Sequence, residues 1–566
     1  MDRREDPQWL ERSVRNISDC EALAALGLAS WEAWGRHWAE VAPSRAMVAD
    51  ADEFLTMPEA AARSLEPRRA EILAEAEKLL RHEIRGWGDV VIQHGDVVNF
   101  AADYGENGTY GFHYWMWSRP LVSAFLLTGQ WGYLAEFERL FNQWYEQRGA
   151  VKGRVQKFDP IWYELGLGIR NRVFVEFYAL AARRCAIATH ARMIKTLLGA
   201  GRWLCEEQKL ANRLGNWQIM GCAGLARIGF SVPEFAEARE WVDIAVQKLA
   251  WHLEKDFYPD GCHWERVPSD YMLTVYRDIW NVAEMLGEPG NALRESLKKS
   301  EEFYRGIMTS EGWVPGVNDG RQRKLPGMIA QAGADTQSRC YRESGFTVLR
   351  AGELYLLINH GSKAGGHTHE DALSFEMHAR GRAIAVDAGI GTSYDDPNHS
   401  TWYRRAKAHN MVTVAGTDPD RAVAAGENVV FRSRGEVEYF AATHRGYEKS
   451  HGIVHRRHVM LVRGEYFLVY DEMRGPMQQV EWNLHVAEPQ RLMVAAAPGE
   501  WTEVRDRGLA EGKEIEWIRF EGNVEQFAVL LYPAEQAGEN ARLEMSARTL
   551  VVTTHAGVER FEVPED

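Results

Sequence analysis

Cysteine is sparse in this 566-residue chain: six residues, at positions 20, 185, 205, 222, 262 and 340. They form no CxxC pair and no regular spacing, which argues against a zinc knuckle or a disulfide framework and leaves reduced thiols. Long apolar runs are also missing, so no membrane span is expected. The opening stretch MDRREDPQWLERSV is charged and has no apolar core. No secretory signal is therefore expected, and the cytoplasm is the expected compartment. Positive charge is not in excess either: 66 basic against 81 acidic residues give a net charge of −15. A nucleic-acid binder would show a basic footprint instead. An anionic ligand would be repelled at long range, so it would need a local basic cleft. No repeat of fixed period is visible.

What is present divides into two halves with different periods. Up to about residue 325, apolar residues recur at i, i+3 and i+4, as in 69–84, 131–147, 171–184, 191–207, 234–254 and 271–286. Gly129, Gly149, Gly229, Gly287 and Pro289 punctuate them. Helical hairpins packed side by side are expected. After about residue 335 the period becomes two: 346–359, 383–388, 410–415 and 458–470 read as strands, with Arg463-Gly464-Glu465 at a hairpin turn. Helices followed by strands imply separate α and β domains. The expected division is a helical extension at 1–68, a helical domain at 69–330 and a β domain at 335–566. Residues 489–513 and the tail from Gly557 look loosest.

Seventeen of the twenty-one tryptophans precede residue 314. Most are expected to be helix-packing core. Trp115, Trp117, Trp162, Trp217 and Trp264 lie near polar, Gly-containing segments and are the candidates for stacking on sugar rings.

The stretch richest in chemistry is GGHTHEDALSFEMHARGRAIAVDAGIGTSYDDPNHSTWYRRAKAHNMVTVAG, residues 365–416. His367 and His369, two apart, would share one face of a strand. Asp387 ends an apolar run and His409 precedes another. Two histidines and an aspartate from adjacent strands suit a borderline divalent ion such as Zn²⁺. A hydrogen-bonded polar edge without metal is the plainer alternative. A cupin site also opens with HxH but needs a nearby Glu, and Leu373 and Ser374 stand there.

The ordered set HxHxDxLSF, a strand ending in D-x-G, a tyrosine, then YRRAKAHN-x-V-x-V resembles the C-terminal domain of heparinase II/III-like polysaccharide lyases. The segments WYELGLGIR, LGNWQIMGCAGLARIGF and DGCHWERVPSDYMLTVY resemble the family's helical half, so the resemblance spans about 70–480. It implies an α+β multidomain protein: an incomplete (α/α) toroid, then an antiparallel β-sandwich, with the active site in the cleft between them. It implies β-elimination on a uronic-acid-containing glycan, heparan or heparin first, yielding a 4,5-unsaturated uronate. By position, Asn216 matches the residue that neutralises the uronate carboxylate, Tyr271 the Brønsted acid and sometimes base, and His367 the catalytic histidine. His369, Asp387 and His409 match the ligands of a structural ion, zinc being the expected one. Tyr394 or Tyr403 matches a second tyrosine. Asn216-Trp217 departs from the Asn-His of alginate-directed relatives. The implied partner is an acidic oligosaccharide, and room is left for a homodimer.

β-Elimination takes the proton at C5 and expels the C4 oxygen, so it needs a carboxylate neutraliser, a base and an acid. Tyrosine titrates near ~10. As a base, Tyr271 would need cations beside it, and Arg170 and Arg266 are the candidates. Arg404 and Arg405, with Trp217, are the further substrate-binding candidates. In isolation Asn216 also reads as a helix N-cap after Gly215. Other readings are a lyase for alginate, hyaluronan, chondroitin or gellan-type glycans, a toroid glycoside hydrolase using paired carboxylates, for which Glu164 and Asp278 are available although no spacing rule makes them a pair, and a non-catalytic sugar-binding protein.

Overall fold

The computed structural model describes residues 2–88, 90–153, 158–363, 365–499, 501–534 and 541–565. The chain divides into two compact units. The first comprises Met1–Asp256 and Thr274–Leu297; the second comprises Phe257–Leu273 and Lys298–Asp566.

The first unit is helical. Its main helices are α1 (Trp31–Arg45), α2 (Arg69–Leu80), α3 (Arg119–Thr128), α4 (Trp131–Gln147), α5 (Glu164–Ala181), α6 (Ile187–Lys209), α7 (Asn216–Ser231) and α8 (Ala238–Lys255). In α4 the periodic residues Tyr133, Leu134, Phe137, Leu140, Phe141 and Trp144 are the buried ones, as an amphipathic helix requires. Helix α7 is buried nearly all round. Its glycines allow this: a Cβ on Gly168 of α5 would lie 2.4 Å from the Met220 carbonyl, and one on Gly224 would lie 2.7 Å from the Gly168 Cα. The two backbones therefore touch where LGLGIR crosses MGCAGLAR. Helix α2 stops at Leu80, earlier than the period suggested, because His82 takes a positive φ and Glu83–Arg85 pairs as a short strand with Val91–Gln93.

The second unit is an antiparallel sandwich. Its strands are β1 (Arg339–Tyr341), β2 (Phe346–Ala351), β3 (Leu354–Asn359), β4 (Ser374–Ala379), β5 (Arg382–Ala385), β6 (Val412–Val414), β7 (Glu427–Arg434), β8 (Val437–His444), β9 (Val454–Val462), β10 (Tyr466–Arg474), β11 (Gln479–Val486), β12 (Leu492–Ala497), β13 (Thr502–Ala510), β14 (Lys513–Asn523), β15 (Gln526–Pro533), β16 (Arg542–Ser546), β17 (Thr549–Thr554) and β18 (Gly557–Glu562). One sheet runs β13-β14-β11-β5-β4-β3-β2-β1, with β6 also on β11; the other runs β7-β8-β9-β10-β15-β12; β16-β17-β18 form a third. Leu356, Phe375, Trp482 and Phe520 from the first sheet meet Phe440, Val459, Phe467 and Val529 from the second in one core. The other face of β10, with Leu468 and Tyr470, packs with Leu550 and Val552 of the third sheet. Burial on both faces explains why YFLVY reads as a continuous apolar run. The β9–β10 hairpin turns at Arg463-Gly464-Glu465, as the sequence suggests.

The segments that looked loose are strands. β13 and β14 form a long hairpin whose alternation is hidden by charge, with Arg505–Glu516 and Arg507–Glu514 pairs across it. The tail from Gly557 is β18. All six cysteines are free thiols, three of them buried. Among the described residues, no helix is long and apolar enough to cross a membrane.

Candidate active site

The site grows from a turn. Asn318, Asp319 and Gly320 follow the short strand Trp313–Val314, and Asn318 takes a positive φ of 60°, a conformation asparagine tolerates better than most residues. The Asn318 amide Oδ1 accepts from the His369 N–H at 3.0 Å, and its Nδ2 donates to the Arg266 carbonyl at 2.8 Å. The Asp319 N–H donates to the His367 carbonyl at 3.1 Å. This stitching corrects the strand expected at 367–369. The segment is an irregular loop, and its two histidines share a neighbourhood because they share a partner.

That partner is the buried Asp319 carboxylate. Its Oδ1 lies 2.8 Å from His369 Nε2 and 3.1 Å from His399 Nε2. Its Oδ2 lies 2.9 Å from His367 Nδ1 and accepts from the Tyr394 hydroxyl at 3.2 Å. Burial alone would raise this carboxyl, but the bonds from His367, His369 and His399 outweigh it and hold it well below the ordinary carboxylate range.

Tyr271 sits in a wide turn, Pro268–Met272, just ahead of helix α9 (Leu273–Leu286). Its hydroxyl hydrogen-bonds that of Tyr394, which is also 2.9 Å from His367 Nδ1. The Tyr271 and His367 rings stack, with centroids 3.9 Å apart and 21° between planes. Glu265 places a carboxylate oxygen 4.0 Å from His367 Nε2. Tyr271, His367, Tyr394 and His399 are part-exposed, above the buried Asp319. Desolvation and the Asp319 charge push both tyrosines well above the ordinary phenol range, while the Tyr394 bond to Tyr271 opposes this only for Tyr271. A lowered Tyr271 was one requirement for a base, and the shift runs the other way.

The two arginines expected beside Tyr271 are each committed to other partners. The Arg266 guanidinium is buried and donates to the Ser344 carbonyl at 2.6 Å, the Ser362 carbonyl at 2.7 Å and the Asn359 side chain. Arg170, in the first unit, donates to the His113 carbonyl at 2.9 Å and the Ile161 carbonyl at 2.6 Å. Both are struts for backbone carbonyls, so neither is free to bind substrate. Of the tyrosine pair left open, Tyr394 joins the cluster; Tyr403 is packed with Ala388 and Ala408. Arg404 is part-buried and donates to the Thr368 carbonyl at 3.0 Å, while the exposed Arg405 pairs with Asp418 at 2.6 Å.

His369, Asp387 and His409 come together as expected. One donor atom from each lies within 4.8 Å of the others, and all three residues are buried. His409 Nδ1 is 2.9 Å from Asp387 Oδ2. His369 Nδ1 and His409 Nε2 are buried with no hydrogen-bond partner among the described residues. Two orphaned imidazole nitrogens next to a carboxylate fit a divalent ion, which would satisfy both. The Asn410 side chain secures the surroundings, donating to the Phe375 and Val386 carbonyls at 2.7 and 3.0 Å and accepting from the His485 N–H at 2.7 Å.

In the first unit, Asn216 is buried in the opening turn of α7. The cap position is Gly215, whose N–H donates to Asp256 Oδ2 at 2.9 Å, and His252 Nδ1 contacts the same oxygen at 2.7 Å. Trp217 is part-buried, edge-on to Phe158 and Tyr163. Trp115 is core, stacked on Trp117 and Phe100, which removes it from the sugar-stacking candidates. Glu164 and Asp278, the carboxylates available to a hydrolase, are each buried against an arginine, Arg213 and Arg172.

The fold and site define a class: a helical toroid domain and an antiparallel β-sheet domain, the latter holding a tyrosine–histidine cluster beside a candidate His/Asp ion site. Residues 87–337 match the profile of the heparinase II/III N-terminus, and residues 334–555 match the heparinase II/III-like C-terminal profile. The chain belongs to the heparinase II/III family. It is 21% identical over 432 residues to a heparin-sulfate lyase of Bacteroides stercoris, covering 67% of this chain and 63% of that one. It is 22% identical over 431 residues to a heparin-sulfate lyase of Bacteroides thetaiotaomicron, covering 64% of this chain and 58% of that one. It thus spans under two thirds of either relative. A crystal structure of heparinase III superposes with a TM-score of 0.74 at 16% identity, over 98% of this chain and 99% of that one.

Proposed function

We propose that the protein is a polysaccharide lyase that cleaves a uronic-acid-containing glycan, of heparan type first, by β-elimination. The observation that carries this reading is the Tyr271–Tyr394–His367 cluster on Asp319, in a chain whose relatives are named heparin-sulfate lyases. In this reading Tyr271 is the acid. A phenol pushed upward keeps its proton until the departing C4 oxygen takes it. His367, with Nδ1 on Asp319, offers Nε2 as the base at C5. Tyr394 bridges the two side chains and holds their rings in place; between turnovers the part-exposed His367 Nε2 gives its proton to water and Tyr271 regains one from water. Asn216 donates to the uronate carboxylate as charge develops on it. Arg404, Arg405 and Trp217 contact the acidic sugar chain.

His369, Asp387 and His409 would hold a divalent ion, zinc by donor type. Its contribution is structural: it fixes the loop that carries His367.

The deciding assay follows ultraviolet absorbance of the conjugated 4,5-double bond on heparan, hyaluronan, chondroitin, alginate and gellan-type oligomers. Heparan-type oligomers are expected to respond most. Chain cleavage without that absorbance would mean hydrolysis, and no cleavage of any uronate glycan would end the lyase reading.

A further inference from the structure

We propose that Asp319 is a positioning residue that couples the ion site to the proton-carrying cluster, one carboxylate setting the ring orientation and tautomer of His369 through Oδ1 and of His367 through Oδ2. The second half of this statement rests on the lyase reading above; the first does not.

A neutral imidazole has one N–H and one lone pair, so the nitrogen that donates to a carboxylate fixes the other as acceptor. With Nε2 on Asp319 at 2.8 Å, His369 presents the Nδ1 lone pair, the atom that is buried and unpartnered. With Nδ1 on Asp319 at 2.9 Å, His367 presents the Nε2 lone pair. His399 and the Tyr394 hydroxyl complete the set, one on each oxygen. Four donors match the four lone-pair sites of a carboxylate. No lysine or arginine hydrogen-bonds to it among the described residues. The backbone reinforces the unit, because Asn318 and Asp319 bond the same two histidine residues through His369 N–H and His367 C=O. Holding His369 therefore holds Asp319, and holding Asp319 holds His367.

An amide at position 319 has one acceptor oxygen, and its NH₂ edge would meet an imidazole N–H donor against donor. One histidine must then turn or change tautomer. The test compares wild type, D319N and H367A, each loaded with zinc, by chelator competition for zinc, thermal melting and steady-state kinetics on heparan oligosaccharides. D319N is expected to bind zinc about 10–100-fold more weakly and to lose kcat by a similar factor, with KM little changed. H367A is expected to lose turnover and keep wild-type zinc affinity. Wild-type zinc affinity in D319N, full kcat despite weakened zinc, or a wild-type protein that binds no zinc each overturns the coupling. Should D319N not fold, zinc is stripped from the wild type. Turnover is then expected to fall with zinc release at unchanged circular dichroism and to return on readdition, and turnover indifferent to zinc overturns the proposal. If the wild type yields no unsaturated product, the lyase reading fails by itself. The zinc affinity of D319N, which needs no substrate, then decides whether Asp319 governs His369.

Discussion

Two buried carboxylates in the second unit invite comparison. Asp471, on β10, receives both arms of Arg457 at 2.8 and 3.1 Å, His455 at 2.6 Å and the Trp482 indole at 3.1 Å. Arg457 goes on to donate to the Leu373 and Asn410 carbonyls at 2.8 and 2.9 Å. Asp319 is equally enclosed but is met by three imidazoles and a phenol. Both carboxyls lie below their ordinary range, through different company. Burial raises each, and the Arg457 charge overrules it at Asp471, whereas histidine hydrogen bonds do so at Asp319. A guanidinium never gives up its proton, so the Asp471 cluster is a lock. Imidazoles and phenols do, so the Asp319 cluster can redistribute protons. The difference between structural and chemical use of a buried aspartate lies in the permanence of its partners.

This contrast can be broken or sharpened by substitution. The largest effect is expected at the chemical cluster: Tyr271→Phe should abolish formation of unsaturated product while leaving the melting temperature in place. Turnover near the wild-type rate would remove Tyr271 as proton donor. Asn216→Ala should lower kcat by about 10²–10³-fold, the usual loss for one donor to developing charge, with KM less affected. A change confined to KM would reduce Asn216 to a binding group. Asp471→Asn should act on stability instead, costing about 3–5 kcal/mol by stranding Arg457, read from denaturant unfolding. It also carries a pH signature. A carboxyl depressed in the folded state stabilises fully above the unfolded value near ~3.9, and that contribution is lost as pH falls through the folded value. Wild-type melting temperature should therefore drop below about pH 4, and more steeply than that of Asp471→Asn; parallel curves would contradict the lock. Next, His369→Ala should release the ion and lower the melting temperature, whereas His367→Ala should keep both, by metal analysis and thermal melts. Equal ion loss in the two would make both residues ligands. The smallest effect is expected from Tyr403→Phe, whose ring is packed away from the cluster; a large loss of turnover there would reopen the choice between the tyrosines.

The helix-then-strand order was legible because burial on one face leaves a period, and β10 was legible because burial on both faces leaves a run. The charged hairpin β13–β14 was not, since an exposed strand carries no such imprint. In the site, His367, His369, Asp387, Tyr394 and His409 stood out through an ordered motif, and Tyr271 only through the resemblance of its own segment. Asp319, His399 and Glu265 did not. Asp319 lies in VNDG, which reads locally as a turn, and acquires its partners from positions 48 to 80 residues further on. His399 lies in a polar stretch, DDPNHST. Arg170 and Arg266 misled for the converse reason. An arginine near a chemical motif looks like a ligand for acids, and nothing in the local sequence says that its guanidinium is committed to carbonyls.

The excursion Phe257–Leu273 bears on how this molecule can be cut and inherited. It leaves the helical unit to join the sandwich before the chain returns for Thr274–Leu297. With it travel Tyr271, Glu265 and Arg266, the last bracing carbonyls of Ser344 and Ser362. A fragment beginning at Lys298 would be complete as strands yet lack both the Tyr271 phenol of the cluster and an internal brace. The sandwich is thus not a cassette that recombination could lift out at its apparent border, and on the ribosome its site stays unfinished until Tyr394, 123 residues beyond Tyr271, has been made to meet a loop synthesised earlier.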